Sequence, residues 1–467
     1  MMWKFDSRPN SIAAIDDSGT ELTYEQLAAE GQRLAGQVGE RCLVFCLCQN
    51  DLGSLLGYTA FLNHHIVPAL LSAKLDAELL QSLLTTYHPR YLWAPETMAV
   101  EGDACYIAFG YRLTKTQFAD TPPLYVQLAL LLTTSGSTGS PKFVRQSYRN
   151  IRANTDSIVE YLRLTADERP ITTLPMNYTY GLSIINTHLD VGATLLMTQY
   201  GIAQKEFWNF FKDHAATSFG GVPFTYEMLD RMRFTRMELP SLRTMTQAGG
   251  KLLPKLHQKF ALWSKETGRE FIVMYGQCEA TARMAYLPWD RGIEKIGAMG
   301  VPIPSGRFAL IDVDGSEVTQ PHTTGELRYF GDNVTLGYAT GAADLAKGDE
   351  RGGVLDTGDM AQFDDDGYYT IVGRKKRFVK LFGNRVNLDE AERLLKARFA
   401  GADVACGGKD DHLVIYGTDD ALLRQMQPYL AEKTGLHASG FTVKTVACIP
   451  KNDAGKTLYR ELEMLND

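Results

Sequence analysis

The sequence predicts an α/β protein of two or three domains, ending in a small α+β unit. Two observations lead there. Apolar strand-like runs alternate with helical stretches through the first third of the chain, the pattern of a layered α/β fold. The 467 residues also exceed what a single hydrophobic core serves, so two or three domains are required.

The elements follow in order. Thr23-Tyr24-Glu25-Gln26 has the spacing of a capping box and opens a helix bearing Leu27 and Leu34. A strand at 43–47 and a helix at 54–62 continue the rhythm. Cys42, Cys46 and Cys48 fall in the apolar run 42–48 that holds this strand; with no matching cysteine or histidine pair elsewhere, they read as reduced core thiols rather than metal ligands. His64 and His65 sit at a turn and receive no role. A helix is expected at 150–163 and a strand at 171–174. Phe207, Trp208, Phe210 and Phe211 form the apolar face of another helix. Pro254 starts a further helix carrying Leu256, Phe260 and Trp263, which Gly268 ends. A strand at 271–274 follows. Nearer the C-terminus, Asn387-Leu388-Asp389-Glu390 caps a helix bearing Leu394 and Leu395, and strands at 412–416 and 441–449 flank a helix at 421–433.

Composition narrows the function classes. The net charge of -7 leaves no basic footprint for nucleic acid or an anionic membrane surface. Anionic substrates must then be met by local lysines and arginines. The start, Met1-Met2-Trp3-Lys4-Phe5-Asp6, lacks the apolar centre of a signal peptide, and no apolar run approaches the ~20 residues that span a bilayer. A cytoplasmic location is expected.

The chemistry begins at Thr133-Thr134-Ser135-Gly136-Ser137-Thr138-Gly139-Ser140-Pro141-Lys142, which follows the apolar run 126–132. Small residues after a buried strand let the backbone approach a ligand, while hydroxyls and free amides surround phosphate oxygens. Lys142 supplies the compensating charge. The spacing is not that of the Walker loop, because Ser140 and Pro141 separate the second glycine from the lysine. Gly455-Lys456-Thr457 fails the same test, with Pro450 where the first glycine belongs.

The stretch resembles the Thr-Ser-Gly-Ser/Thr-Thr-Gly-x-Pro-Lys signature of the AMP-forming acid–thiol ligase superfamily, which includes acyl-CoA synthetases and stand-alone adenylation enzymes. Further segments are similar to that family's motifs and occur in the same order. They are Pro175-Met176-Asn177-Tyr178-Thr179-Tyr180-Gly181-Leu182, Gln247-Ala248-Gly249-Gly250-Lys251, Tyr275-Gly276-Gln277-Cys278-Glu279, Leu355-Asp356-Thr357-Gly358-Asp359, the run from Gly373-Arg374 to Arg385-Val386, and the Gly455-Lys456 loop.

The resemblance implies specific roles. Thr134, Ser135, Gly136, Ser137, Thr138, Gly139 and Lys142 would hold the ATP phosphates. Tyr178 would border the acyl pocket, although an aromatic in a core turn looks the same in sequence. Gly249 and Gly250 would lie against adenine, with Gly249 also touching the acid. Tyr275, Gly276, Gln277 and Cys278 would contact the nucleotide, and Glu279 would bind Mg²⁺, an ion that takes oxygen ligands. Asp359 would accept the ribose hydroxyls and Arg374 would contact the nucleotide. Lys376 would be the pivot of a mobile lid, which implies a large N-terminal α/β domain of several subdomains with a β-rich part at 1–374 and a small mobile α+β domain at 375–467. Lys456 would reach from the lid to the adenylating centre, so the catalytic set is Lys456, Glu279 and Lys142.

Two positions depart from the family pattern. Cys278 replaces a threonine, and a thiol is a weaker donor than a hydroxyl. Phe143 replaces the glycine after the loop lysine, which would narrow the phosphate entrance.

The implied reaction uses ATP and Mg²⁺ to turn a carboxylic acid into an acyl-adenylate with release of pyrophosphate. The acyl group then passes to a thiol, either CoA or the phosphopantetheine of an acyl-carrier protein. A nucleotide-binding module with impaired chemistry is a third possibility. Amino-acid-activating relatives hold the substrate ammonium with an Asp where this chain has Gly181. A buried ammonium without a counter-charge is costly, so an acid lacking an α-amino group is expected. Met176, Tyr178, Tyr180 and Met284 suggest an apolar or aromatic pocket for it.

Overall fold

The computed structural model describes residues 2–118, 122–133, 142–375, 377–382, 384–399, 401–409, 411–451 and 457–464. Two sheets with parallel strands organise the larger part. In the eight-stranded sheet, Leu43–Cys48 runs parallel to Val67–Ser72 and Tyr91–Pro95, and Val67–Ser72 runs parallel to Leu128–Thr133. Phe143–Ser147 and Gly337–Ala339 extend that edge antiparallel. The strand Leu43–Cys48 is buried at every position, as expected for a parallel strand covered on both faces. Burial also pushes the Cys42 thiol up to about 12.

In the five-stranded sheet, Ser218–Gly221, Thr244–Gln247 and Glu270–Tyr275 are parallel neighbours. Their shared direction puts Val222, Ala248-Gly249-Gly250 and Gly276-Gln277 at one edge. Open α/β sheets bind ligands beyond the C-terminal ends of such strands. A four-stranded antiparallel sheet, Arg307–Ile311, Gly325–Phe330, Val354–Phe363 and Tyr369–Arg374, forms the β-rich part. Gly325–Phe330 alternates buried with half-buried residues, the signature of a sheet packed on one face.

Beyond residue 378 the chain builds a separate core. Val379, Leu395, Cys406, Ile415, Met426 and Phe441 meet there, between the sheet Val404–Lys409, His412–Gly417, Phe441–Thr445 and the helices Leu388–Arg398 and Asp420–Thr434. Among the described residues, no helix is long and apolar enough to cross a membrane.

Local signals placed most elements. Thr23 and Gln26 form a reciprocal capping box on the helix Tyr24–Val38. Pro254 occupies the first turn of Pro254–Glu266. Phe207, Trp208, Phe210 and Phe211 are the buried residues of Lys205–Asp213. Two expectations need correction. The strand expected at 171–174 reduces to single bridges from Pro170 to Ser218 and from Ile171 to Leu196. The hydroxyls of Thr172 and Thr173 donate to the carbonyls of Thr198 and Gly220 instead. The strand expected at 441–449 ends at Thr445, because its partner His412–Gly417 runs out at Gly417.

Candidate functional site

The end of the candidate site that is expected to take the nucleotide is built around Asp359, which is only 5% exposed. The strand Glu270–Tyr275 delivers Tyr275, whose hydroxyl donates to Asp359 Oδ2 at 2.5 Å. Gln277 Nε2 donates to the same oxygen at 2.9 Å and to Thr357 O at 3.0 Å. Arg374 pairs with Asp359 across the antiparallel ladder, its Nε 3.4 Å from Oδ1, and its side chain is 61% exposed. Burial pushes the Asp359 carboxyl above its usual range, with Arg374 and the two hydrogen-bond donors opposing that shift. The result is a carboxylate fixed on one oxygen and bordered by a cation free to follow a ligand.

A second carboxylate stands nearby on the turn Cys278–Ala280. Tyr338 donates to Glu279 Oε1 at 2.6 Å. Lys142 Nζ lies 3.6 Å from the Tyr338 ring centroid and Arg351 Cζ 4.8 Å from it. Arg351 also donates to the Glu279 backbone carbonyl at 2.9 Å and to Thr335 Oγ1 at 2.7 Å. Tyr338 is brought here because Gly337–Ala339 pairs with Phe143–Ser147, the strand that follows Lys142. Burial and the adjacent Glu279 charge hold the Tyr338 hydroxyl protonated, well above its ordinary range. Glu279 Oε2 accepts no hydrogen bond from the described residues. A carboxylate with one oxygen positioned and one open, beside Lys142 and Arg351, suits a hydrated divalent cation shared with phosphates.

At the end expected to take the acid, Tyr178 and Gly249 meet. Gly249 has φ +84°, and a Cβ there would lie 2.8 Å from the Tyr178 hydroxyl, so only glycine combines this backbone with this approach. Gly250 lies beside Pro223. A Cβ on Gly181 would meet Pro175 O at 2.4 Å, which leaves no room for an ammonium-binding carboxylate at that position. Tyr180 packs beside Tyr178 and shares a 2.7 Å hydrogen bond with Thr246 Oγ1. Met176 and Met284 are fully buried in two other cores and do not join the tyrosines, which corrects the pocket inferred from sequence. Phe143 also points elsewhere. It is buried among Tyr87, Phe45 and Leu131, so it fills the core under the loop instead of narrowing an entrance. Cys278 is buried.

The turn after Tyr275 links the two ends. A Cβ on Gly276 would sit 1.8 Å from Ala282 O and 2.9 Å from Arg283 Cα. The turn after Tyr275 and the backbone of Ala282-Arg283 are therefore in direct contact.

The smaller unit faces the cleft. Lys451, bridged to Thr457, places its Nζ 5.5 Å from the Phe224 ring, and Phe224 lies in the helix that follows Val222. Lys251 Nζ donates to Ile371 O at 2.8 Å and feels the charges of Arg393 and Glu390 from the smaller unit. Thr134, Ser135, Gly136, Ser137, Thr138, Gly139, Lys376 and Lys456 lie outside the described residues. Sequence reasoning missed the Tyr338 hydroxyl, Arg351 and Arg283. Tyr338 carried a signal in Gly337-Tyr338, which is similar to a family segment, and Arg283 carried one as the single charge in the run 280–287.

A family model described as AMP-binding enzyme matches residues 2–339. Oxalate–CoA ligase of Arabidopsis thaliana is 29% identical over 272 residues, covering 57% of this chain and 52% of the relative. A long-chain-fatty-acid–CoA ligase of Salmonella typhimurium is 29% identical over 374 residues, covering 76% of this chain and 64% of the relative. The chain thus matches between about half and two thirds of these relatives' lengths. Among solved structures, O-succinylbenzoate coenzyme A synthetase from Bacillus subtilis in complex with AMP has the same fold, with a TM-score of 0.80 at 21% identity, covering 98% of this chain and 96% of that one.

Proposed function

The chain belongs to the AMP-binding enzyme family, and from that premise we propose that it activates a carboxylic acid with ATP and transfers the acyl group to CoA. The curated relatives are, by name, CoA ligases for oxalate and for long-chain fatty acids. The observation that carries the reading is the pair of carboxylates, Asp359 and Glu279, each held by a tyrosine hydroxyl at one edge of the sheets.

In this reading Asp359 accepts the ribose hydroxyls, Tyr275 and Gly249-Gly250 border adenine, and Arg374 closes over the nucleotide. Thr134 to Gly139 and Lys142 hold the β- and γ-phosphates. Glu279 Oε2 is the oxygen left for Mg²⁺, which when bound neutralises charge on the departing pyrophosphate. The acid lies along Tyr178 and Gly249. Its carboxylate oxygen attacks the α-phosphorus, and the bond to the bridging oxygen breaks with its electron pair leaving on pyrophosphate. Such a displacement depends on alignment and on charge stabilisation, not on a covalent enzyme intermediate. Lys456 meets the charge that gathers between the acid and the α-phosphate. A thiolate then attacks the acyl carbon and AMP leaves.

We place the pivot between the two half-reactions at Lys376, with units at 1–374 and 375–467. In support, Lys375 is tied to the larger unit through Glu326 at 2.6 Å and Gly358 O at 2.8 Å. Arg377 is tied to the smaller unit through Asp389 at 2.6 Å and Glu392 at 2.8 Å. Seven free cysteines suit the reducing cytoplasm, where ATP and CoA are available.

The test is acid-dependent ATP–pyrophosphate exchange, followed by thioester formation with CoA or with an acyl-carrier protein in parallel. Lys456→Ala should slow exchange by about 10²-fold or more. Exchange unchanged in that variant removes Lys456 from the mechanism. No exchange over a broad acid panel overturns the ligase reading and leaves a nucleotide-binding module. Thioester on the carrier protein alone reassigns the acceptor.

A further inference from the structure

Arg283 is 3% exposed. Its Nε donates to Ser183 Oγ at 3.2 Å, and its Nη1 donates to Tyr161 OH at 3.1 Å and contacts Met274 Sδ at 3.3 Å. Its guanidinium carbon is 5.1 Å from the Tyr180 ring centroid. Its Nη2 donates to no described residue, and no described carboxylate lies within ion-pair distance. The titratable groups that feel its charge are Tyr161, Tyr180 and His188. Burial, joined by the Arg283 charge, lowers His188 to about 4. Every neighbour is therefore neutral near pH 7.

Other buried arginines in the molecule are treated differently. Arg145, fully buried, has Glu350 at 2.5 Å and donates to the carbonyls of Tyr338, Leu336 and Gly348. Arg377, also largely buried, has Asp389 and Glu392. A buried guanidinium without a counter-charge is costly and normally recruits one. Arg283 lacks it at a particular place. Tyr180, against which it packs, is the ring next to Tyr178, and Tyr178 touches Gly249. The backbone of Arg283 is clamped by Asn154 and Asn333, so the charge is held in position. A cavity of about 10 Å³, the size of one water, lies beside the neighbouring Ala282 and Ser183, lined also by Asn154, Thr179, Asn186 and the apolar Leu182. Gln146 also lines this cavity and has a buried Nε2 with no partner among the described residues.

We propose that Arg283 is a specificity residue that receives a second carboxylate of the substrate, so that the acid activated is a dicarboxylic acid. The assignment rests on the acid–CoA ligase reading and deepens it. One carboxylate reacts beside Tyr178 and Gly249, and the other lies beyond Tyr180 on the guanidinium, where a bidentate pair forms. A site built to pair a buried polar group discriminates strongly against the analogue that leaves it unpaired.

The experiment measures pyrophosphate release with succinate, glutarate, adipate and terephthalate against butyrate, valerate, hexanoate and benzoate, using the full chain with ATP, Mg²⁺ and CoA. The wild-type protein should favour a dicarboxylate over its monocarboxylic match by about 10²-fold or more in kcat/KM. Arg283→Gln should raise the KM for that dicarboxylate by a similar factor while leaving the KM for ATP unchanged. Arg283→Lys should recover part of the preference. A wild-type preference for monocarboxylates overturns the assignment, even if the Gln variant does not fold. An unchanged dicarboxylate preference in a folded Arg283→Gln protein overturns it as well. Failure of every acid refutes the ligase reading itself, whereas release with monocarboxylates alone refutes only the role of Arg283.

Discussion

The two ends of the cleft carry opposite charge designs. At the nucleotide end the negative groups are fixed and the positive ones are at the rim: Asp359 and Glu279 are each positioned by a tyrosine hydroxyl, while Arg374 extends toward solvent. At the acyl end the positive group is the fixed one, with Arg283 enclosed by hydroxyls, a thioether and an aromatic ring. In the proposed reading the first arrangement is the one that accepts hydroxyls and a cation, with arginine and lysine left to follow phosphate. The second offers an immobile charge to whichever acid brings the complement. On that reading the opposed polarity would orient the acid as well as hold it.

The change with the largest expected effect lies under the nucleotide end. Phe143→Ala removes a ring packed against Tyr87 and Phe45, and should lower unfolding free energy by about 3–5 kcal/mol. The KM for ATP should stay near the parent value in the folded fraction. A large fall in that KM would return Phe143 to the phosphate entrance. Next, Glu279→Gln should reduce acid-dependent pyrophosphate exchange by roughly 10²-fold, and raising Mg²⁺ should recover part of the loss. A metal response identical to the parent's would leave Glu279 as a structural acid only.

Asp359→Asn should raise the KM for ATP by roughly 10-fold to 10²-fold, the cost of losing hydrogen bonds to a charged acceptor. The same variant separates binding from stability. Burial raises the Asp359 carboxyl above its ordinary 3.8, so the folded state holds that proton more tightly than the unfolded chain. The stability this contributes is complete below the ordinary value and is lost as pH rises through the raised one. Asn is neutral throughout. The variant should therefore melt higher than the parent at neutral pH, and the gap should close in acid. A parent that melts higher at neutral pH would mean Arg374 outweighs desolvation there. The smallest effect is expected from Tyr338→Phe, which leaves Glu279 Oε1 without its donor. The loss should be about 1 kcal/mol, or roughly 5-fold in apparent Mg²⁺ affinity.

The residues expected at the nucleotide were more legible in the sequence than the surroundings of Arg283, for a physical reason. Tyr275, Gln277, Glu279 and Asp359 sit on strand ends and tight turns, where chemistry restricts residue type and leaves recurrent short patterns. Fold elements with local signals were equally legible, as the Thr23–Gln26 capping box and the Pro254 helix start illustrate. The acyl end is assembled from distant positions, with Tyr161, Ser183 and Met274 converging on Arg283, and no spacing announces that convergence. Met176 and Met284 were assigned to the pocket by composition, yet tertiary packing sends them to separate cores. Phe143 misled because its position beside the loop says nothing about which face of the strand its ring occupies.

The contact between Gly276 and the Ala282–Arg283 backbone has a thermodynamic corollary. With no slack between those segments, an acid held by the guanidinium as proposed would also adjust the turn expected beneath the adenine. Occupancy of either subsite should therefore sharpen affinity at the other by an equal factor, because such coupling is reciprocal. The two substrates should bind cooperatively, and enlarging residue 276 would leave each to bind as if the other were not there.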